Sequence, residues 1–259
     1  MISQRFGARR AEGRAALVPY VTAGYPDRSS TVAALDAIAG AGADVIELGI
    51  PFSDPLADGP VIQHASFVSI ERGTRLPGIL DDLATFRGKN DTPVVLFTYL
   101  NPVLRYGIAD FLRDAHAAGA QGLLVTDMPT GSDPALESRI IDSPLDLIRL
   151  VAPTTPLARV SEVARGGSGF LYYISRTGVT GARGELRGEL GTEVGRIREA
   201  VELPVAVGFG ISTPEQAAAV AAVADGVVVG SALIQAIDRG GIAEGARFLA
   251  SLRAGMDAR

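Results

Sequence analysis

The sequence holds no cysteine, a single lysine and only two histidines in 259 residues. Without cysteine there is no disulfide framework and no thiolate metal site. That suits a reducing compartment, so a cytoplasmic location is expected. No stretch approaches the roughly 18 uninterrupted apolar residues of a membrane span. The basic start MISQRFGARRAEGR runs into AALVPYVTAG, whose apolar part is short and broken by Pro19 and Tyr20, so no signal peptide is read there. Blocks of Lys and Arg are missing as well, and the net charge is −5, which argues against nucleic acid or an anionic membrane as partner. A soluble protein is the expectation.

With 47% apolar and 20% charged residues, the chain is long enough for one large domain over residues 1–259. Eight short apolar, β-branched runs recur: Ala16–Thr22, Val45–Leu48, Val94–Tyr99, Gly122–Thr126, Asp146–Val151, Phe170–Ile174, Val205–Gly208 and Gly226–Val229. They are nearly continuous in apolar character, as parallel strands covered on both faces by helices must be. Between them the spacing predicts helices at Arg28–Ala39, Val61–Arg72, Leu76–Arg87, Ile108–Ala118, Asp133–Ile141, Leu157–Arg165, Leu190–Val201, Pro214–Val223 and Gly241–Leu252. AGADVIELG, AGAQGLLVTD and VADGVVVG echo one another, as a repeated αβ unit would. Eight such units in about 250 residues suit a (β/α)8 TIM barrel, with an extra N-terminal helix on its floor and extended loops after strands 2 and 6. An open dinucleotide-binding sheet would need GxGxxG after its first strand, and VTAGYP is not that.

In such a barrel the chemistry sits where strands end. The lone lysine, Lys89, falls in the turn before the third strand, at the opposite end, which removes a Schiff base. His64 and His116 fall in outer helices, so a histidine metal site is not expected, while an all-carboxylate magnesium site stays open. Carboxylate acid–base chemistry remains. In DVIELG, alternation puts Val45 and Glu47 on one face and Ile46 and Leu48 on the other. If the first face lines the interior, burial raises the pKa of Glu47 toward neutrality, where it can give and take protons. The plain alternative is an interior ion pair. Asp54 and Asp58 follow in the loop ELGIPFSDPLADGP; Asp58, before Gly59 and Pro60, could equally cap the next helix.

Two later strand ends, VGFGIS (Val207–Ser212) and VVGSAL (Val228–Leu233), carry the glycines and helix starts of a phosphate cradle, with the Ser231 hydroxyl to add. Tight strand-to-helix packing explains them as well. The stretch from Gly178 to Gly191 reads as a loop, either a mobile lid with Thr180 at its tip or an ordinary surface loop.

The segment ELGIPFSDPLADGP resembles the signature of the tryptophan synthase α subunit family, and PYVTAGYP, TYLNP, TDMP, LVAPTTP, YYISRTGVTGARGE, VGFGIS and DGVVVGSA follow in that family's order. The resemblance implies retro-aldol cleavage of indole-3-glycerol phosphate to indole and glyceraldehyde 3-phosphate, with no metal or organic cofactor in this chain. It implies Glu47 as general acid–base and Asp58 as the group that steadies charge on the indole nitrogen. Tyr172 would contact Asp58, and Thr180 would order it on closure. Gly181, Phe209, Gly210, Gly230 and Ser231 would receive the phosphate, and Tyr20, Phe97, Tyr99, Leu124, Thr126 and Leu150 would line the indole side. It further implies a pyridoxal-phosphate-dependent β subunit in an αββα assembly, contacted through Pro51–Asp58, Asn101, Pro102 and Pro129. Thr126, Met128 and Tyr20 depart from the family's usual residues, as does SFVSIERG. Three rivals stand beside this reading: a stand-alone lyase that releases free indole, an inactive barrel that activates a partner, and another phosphosugar barrel such as an isomerase or epimerase.

Overall fold

The first strand lies within its expected limits, Ala16–Thr22 (β1), with every residue buried. Its side chains alternate: Ala16 and Val18 enter an inner cluster, while Leu17 and Val21 join the outer layer beneath the helices. The same alternation recurs around the sheet. The computed structural model describes residues 2–175, 183–208 and 210–258, with the backbone alone for 183–189. Among these residues the other strands are β2 (Ile46–Gly49), β3 (Val94–Thr98), β4 (Gly122–Val125), β5 (Asp146–Leu147), β6 (Arg149–Val151), β7 (Leu171–Ile174), β8 (Val205–Gly208) and β9 (Gly226–Val229). All pairings are parallel, in the order β5-β4-β3-β2-β1-β9-β8-β7-β6.

The count exceeds the expected eight because the fifth run breaks at Ile148. Its first half pairs with β4, where the Ile148 N–H donates to Leu123 O at 2.9 Å; its second half pairs with β7, just after Ser168 N–H donates to Leu147 O at 2.9 Å. This one stretch of chain therefore joins the two ends of the sheet, and the fold is a (β/α)8 barrel. The helices among the described residues are α1 (Ile2–Ala11), α2 (Thr31–Gly40), α3 (Pro60–Glu71), α4 (Leu76–Arg87), α5 (Leu100–Tyr106), α6 (Ile108–Ala117), α7 (Pro134–Ile141), α8 (Leu157–Arg165), α9 (Arg183–Ala200), α10 (Pro214–Ala221) and α11 (Ser231–Asp257). None is long and apolar enough to cross a membrane.

Three helical regions differ most from expectation. α5 occupies the short connection after β3, where no helix was read. α9 begins at Arg183, so residues 183–189, read as loop because of their glycines, are helical. α11 starts at Ser231 and continues past a kink at Gly240 and Gly241, so only its second half was anticipated.

The N-terminal helix covers the floor, as expected. Ile2 and Phe6 of α1 are buried in the inner cluster with Val45, Val95, Leu124, Phe170, Ala206 and Val228, and the Phe6 ring stacks on Phe170 at 5.1 Å. Glycine makes room for this plug: a Cβ at Gly226 would stand 2.7 Å from the Phe6 ring, and one at Gly122 would stand 2.8 Å from Ile2. Filled from below, the barrel keeps its open space for the other end.

Candidate active site

Glu47 follows Val45 on the inward face of β2, in register with Tyr20 of β1 and Val95 of β3. It is only 1% exposed, and its Oε1 has no hydrogen-bond partner. A carboxylate that has lost its water and gained no donor is strongly disfavoured, and burial pushes the Glu47 pKa up to about 8. The group is therefore held as the acid at neutral pH. Among the described residues no ion pair reaches Glu47, and burial alone accounts for its raised pKa.

Beyond Gly49 the chain enters the extended loop of residues 50–59. Asp58 does not cap α3: Gly59 is the N-cap, and no side chain bonds the helix start. The Asp58 carboxylate instead accepts from the Tyr99 hydroxyl at 3.0 Å, and the same phenol oxygen accepts from Ala57 N–H at 3.0 Å. Gln63 Nε2 donates to Asp58 O at 2.9 Å and fastens the backbone. Burial raises the Asp58 pKa to about 6 against the lowering effect of the Tyr99 hydrogen bond, so Asp58 is largely ionised at neutrality where Glu47 is not. The hydrogen bond to Asp58 comes from Tyr99, while Tyr172 lines the same cavity as Asp58 without bonding it among the described contacts. Tyr172 still faces both carboxyls, and their fields add to burial in raising its phenol pKa.

Both acids line a cavity of about 400 Å³ at the C-terminal ends of the strands. Its floor is the top of the inner cluster, where Phe97, Leu150 and Tyr172 lie on the buried layer. Tyr20 closes one side, its ring edge-on to Phe97 at 5.2 Å and its hydroxyl 3.3 Å from Thr22 Oγ1. Thr126 lines the wall. Of the residues expected on the indole side, Leu124 is absent from the wall. It is wholly buried, in register with Phe97. Tyr99 likewise stands behind Asp58 rather than on the cavity surface.

At the other end of the cavity Gly210, with φ 69°, Gly230 and Ser231 come together, as their motifs suggested. Ser231 opens α11, whose first free N–H groups face the same region. Phe209, Thr180 and Gly181 lie outside the described residues. Unforeseen wall residues include Ile62, Ile174, Ser212 and Gln235. Gln235, one helical turn beyond Ser231, was within reach of spacing alone; Ile62 carried no signal. Among the described residues no three His, Cys, Asp or Glu gather as metal ligands would.

Comparison with known proteins agrees with this architecture. The family model described as tryptophan synthase alpha chain matches residues 6–254. The chain is 50% identical over 245 residues to the tryptophan synthase alpha chain of Gluconacetobacter diazotrophicus, covering 94% of this chain and 89% of that one. It is 49% identical over 238 residues to that of Citrifermentans bemidjiense, with coverage of 92% and 89%. Among solved structures, tryptophan synthase subunit alpha from Legionella pneumophila superposes with a TM-score of 0.90 at 35% identity, over 100% of this chain and 98% of that one. Tryptophan synthase from M. tuberculosis in its aminoacrylate-bound form gives 0.89 at 35% identity, over 98% of each chain. With both the motifs and the barrel shared over almost its whole length, the chain belongs to the tryptophan synthase alpha chain family.

Proposed function

We propose that the chain is the lyase subunit that cleaves indole-3-glycerol phosphate to indole and D-glyceraldehyde 3-phosphate, with Glu47 and Asp58 as its catalytic pair. The observation that carries this reading is a protonated, partnerless carboxyl at Glu47 sharing one cavity with an ionised carboxylate at Asp58. Glu47 gives its proton to the indole carbon that bears the glycerol chain. The ring nitrogen becomes cationic, and Asp58 stabilises that charge. The carbon–carbon pair then returns to the ring, which regains its aromaticity, while the adjacent glycerol hydroxyl gives its proton to Glu47 and becomes the aldehyde. Glu47 ends as it began, and no external acid, base or electron is consumed. Phe97, Leu150, Thr126, Tyr20 and Tyr172 hold the ring, and Gly210, Gly230 and Ser231, with Gly181, Phe209 and Thr180 by analogy, serve the phosphate and lid.

The product indole passes, on this reading, to a pyridoxal-phosphate-dependent β subunit docked over the same barrel end. Pro51–Asp58, Asn101, Pro102 and Pro129 follow three adjacent strands, β2, β3 and β4, and so form one continuous face. Leu56 on that face is 91% exposed, a large apolar side chain left to water in this chain alone. The test measures indole release from indole-3-glycerol phosphate by this chain with and without a β subunit. Low turnover that rises strongly on mixing is expected, and Glu47→Gln should abolish cleavage while still binding the partner. Undetectable cleavage by the mixed complex, or full turnover by Glu47→Gln, would overturn the reading.

A further inference from the structure

We propose that Tyr99 is the positioning residue for Asp58: its phenol, anchored at the end of β3, pins the acidic loop and aims the carboxylate into the cavity. This rests on the reading of Asp58 as a catalytic group. The loop of residues 50–59 has little regular structure of its own, yet it must hold one carboxylate beside a flat ring. Three contacts to one side chain do this. The Tyr99 ring packs against Phe52 near the start of the loop, with centroids 5.0 Å apart. Its hydroxyl oxygen accepts from Ala57 N–H at 3.0 Å and its proton goes to Asp58 Oδ2 at 3.0 Å. One phenol thus fixes both the backbone before Asp58 and the carboxylate itself.

Tyr99 is suited to this because it is buried and its backbone is fastened on both sides. It sits between the last residue of β3 and the first of α5, is 4% exposed, and is followed by Leu100, whose N–H donates to the Asp127 carboxylate at 2.6 Å. The Thr126 hydroxyl, 3.2 Å from Thr98 O, lies against the same phenol and completes its surroundings. The one proton its hydroxyl can donate goes to Asp58, so its route to the reaction runs through that carboxylate. An O–H donor to a carboxylate also favours the ionised form, the form Asp58 needs. Among the described residues the other titratable groups facing Asp58 are Tyr20 of β1, Tyr172 of β7 and Glu47 of β2. The two phenols stay neutral and Glu47 keeps its proton to about 8, so among these side chains an activity limb near 6 is that of Asp58, and its dependence on the Tyr99 hydroxyl separates it from the substrate phosphate.

The experiment uses the complex with the β subunit, after wild-type cleavage has been demonstrated; without that cleavage the functional reading fails, not this one. Tyr99→Phe keeps the ring against Phe52 and removes the hydroxyl. It should lower kcat about tenfold, the worth of one hydrogen bond to a charged group, leave KM nearly unchanged and move the acid limb of the pH profile upward. In an Asp58→Asn background the same substitution should cost far less, because its route to the reaction is already gone. Should Tyr99→Phe fail to fold, wild-type protein labelled at the tyrosine ζ carbon gives the answer: the Tyr99 resonance should shift with a midpoint near 6, and Asp58→Asn should abolish that shift. An unmoved acid limb, additive penalties in the double variant, or a Tyr99 resonance blind to Asp58 would each overturn the proposal.

Discussion

Glu47 makes a contribution of definite sign to the protein's response to pH. Its ordinary value is 4.5, and burial pushes it up to about 8. Between those values the unfolded chain has released a proton that the folded chain still binds, so the contribution of Glu47 to stability falls as pH rises, by up to about 1.4 kcal/mol for each unit. Below the unfolded value the two states are alike and nothing is lost. Glu47→Gln has the same shape and no charge to bury. Its urea midpoint should exceed that of the wild type clearly at pH 8.5, and the gap should close near pH 4.5. A gap of equal size at both pH values would mean that the carboxyl is not held as the acid. On the proposed assignment catalysis has a second requirement: Asp58, with a value of about 6, is ionised while Glu47 is still protonated. The kcat/KM profile should therefore rise through about 6 and fall through about 8, and Asp58→Asn should erase the rising limb from whatever activity survives. An activity that climbs steadily past pH 9 would contradict this assignment.

At the scale of elements, the floor helix and the acidic loop divide the labour. α1 contributes Ile2 and Phe6 to the inner cluster and so fills the barrel below the layer that carries Glu47. Phe6→Ala should cost about 3–5 kcal/mol in urea melts, the usual penalty for emptying a buried aromatic site. A loss below about 1 kcal/mol would show the floor collapsing freely onto the gap. Strands, outer helices and the two acids were legible in the sequence because each leaves a pattern along the chain: apolar runs, inward and outward alternation, a carboxyl at a strand exit. Legibility failed where the cause lies across the chain. The break at Ile148 arises from a change of hydrogen-bond partner, from β4 to β7, and no side chain records it. The glycines between 183 and 191 read as loop because local propensity cannot see what packs on a helix. Tyr99 was taken for a wall residue because its bond to Asp58 joins positions 41 apart, and only the returned loop brings them together. Leu124 was expected on the cavity wall and is wholly buried, since alternation fixes the face of a strand residue but not what covers it.

The whole molecule separates stability from chemistry along the barrel axis, and Asp44 is where this can be tested. Three residues before Glu47, at the opposite end of the same strand, it is 2% exposed. Its Oδ1 pairs with Arg9 Nε of α1 at 2.5 Å, and its Oδ2 accepts from Leu17 N–H at 2.8 Å and from Arg253 of α11 at 3.2 Å. Arg253 in turn bonds Asp257, which holds Arg14, so the first and last helices meet on one buried carboxylate. Removing one partner of such a set leaves cations and an N–H without their acceptor, and breaking a buried pair in this way costs about 3–5 kcal/mol. Asp44→Ala should therefore unfold at much lower urea than the wild type. Its kcat and KM, measured on the folded fraction at low temperature with the β subunit present, should stay close to wild type, because the plug of α1 lies between Asp44 and the cavity. Arg253→Met tests the same knot from the other side, and its penalty should not add to that of Asp44→Ala, since each removes the same contact. Full stability of Asp44→Ala would refute the knot; a stable variant with altered KM would refute the separation of the two ends.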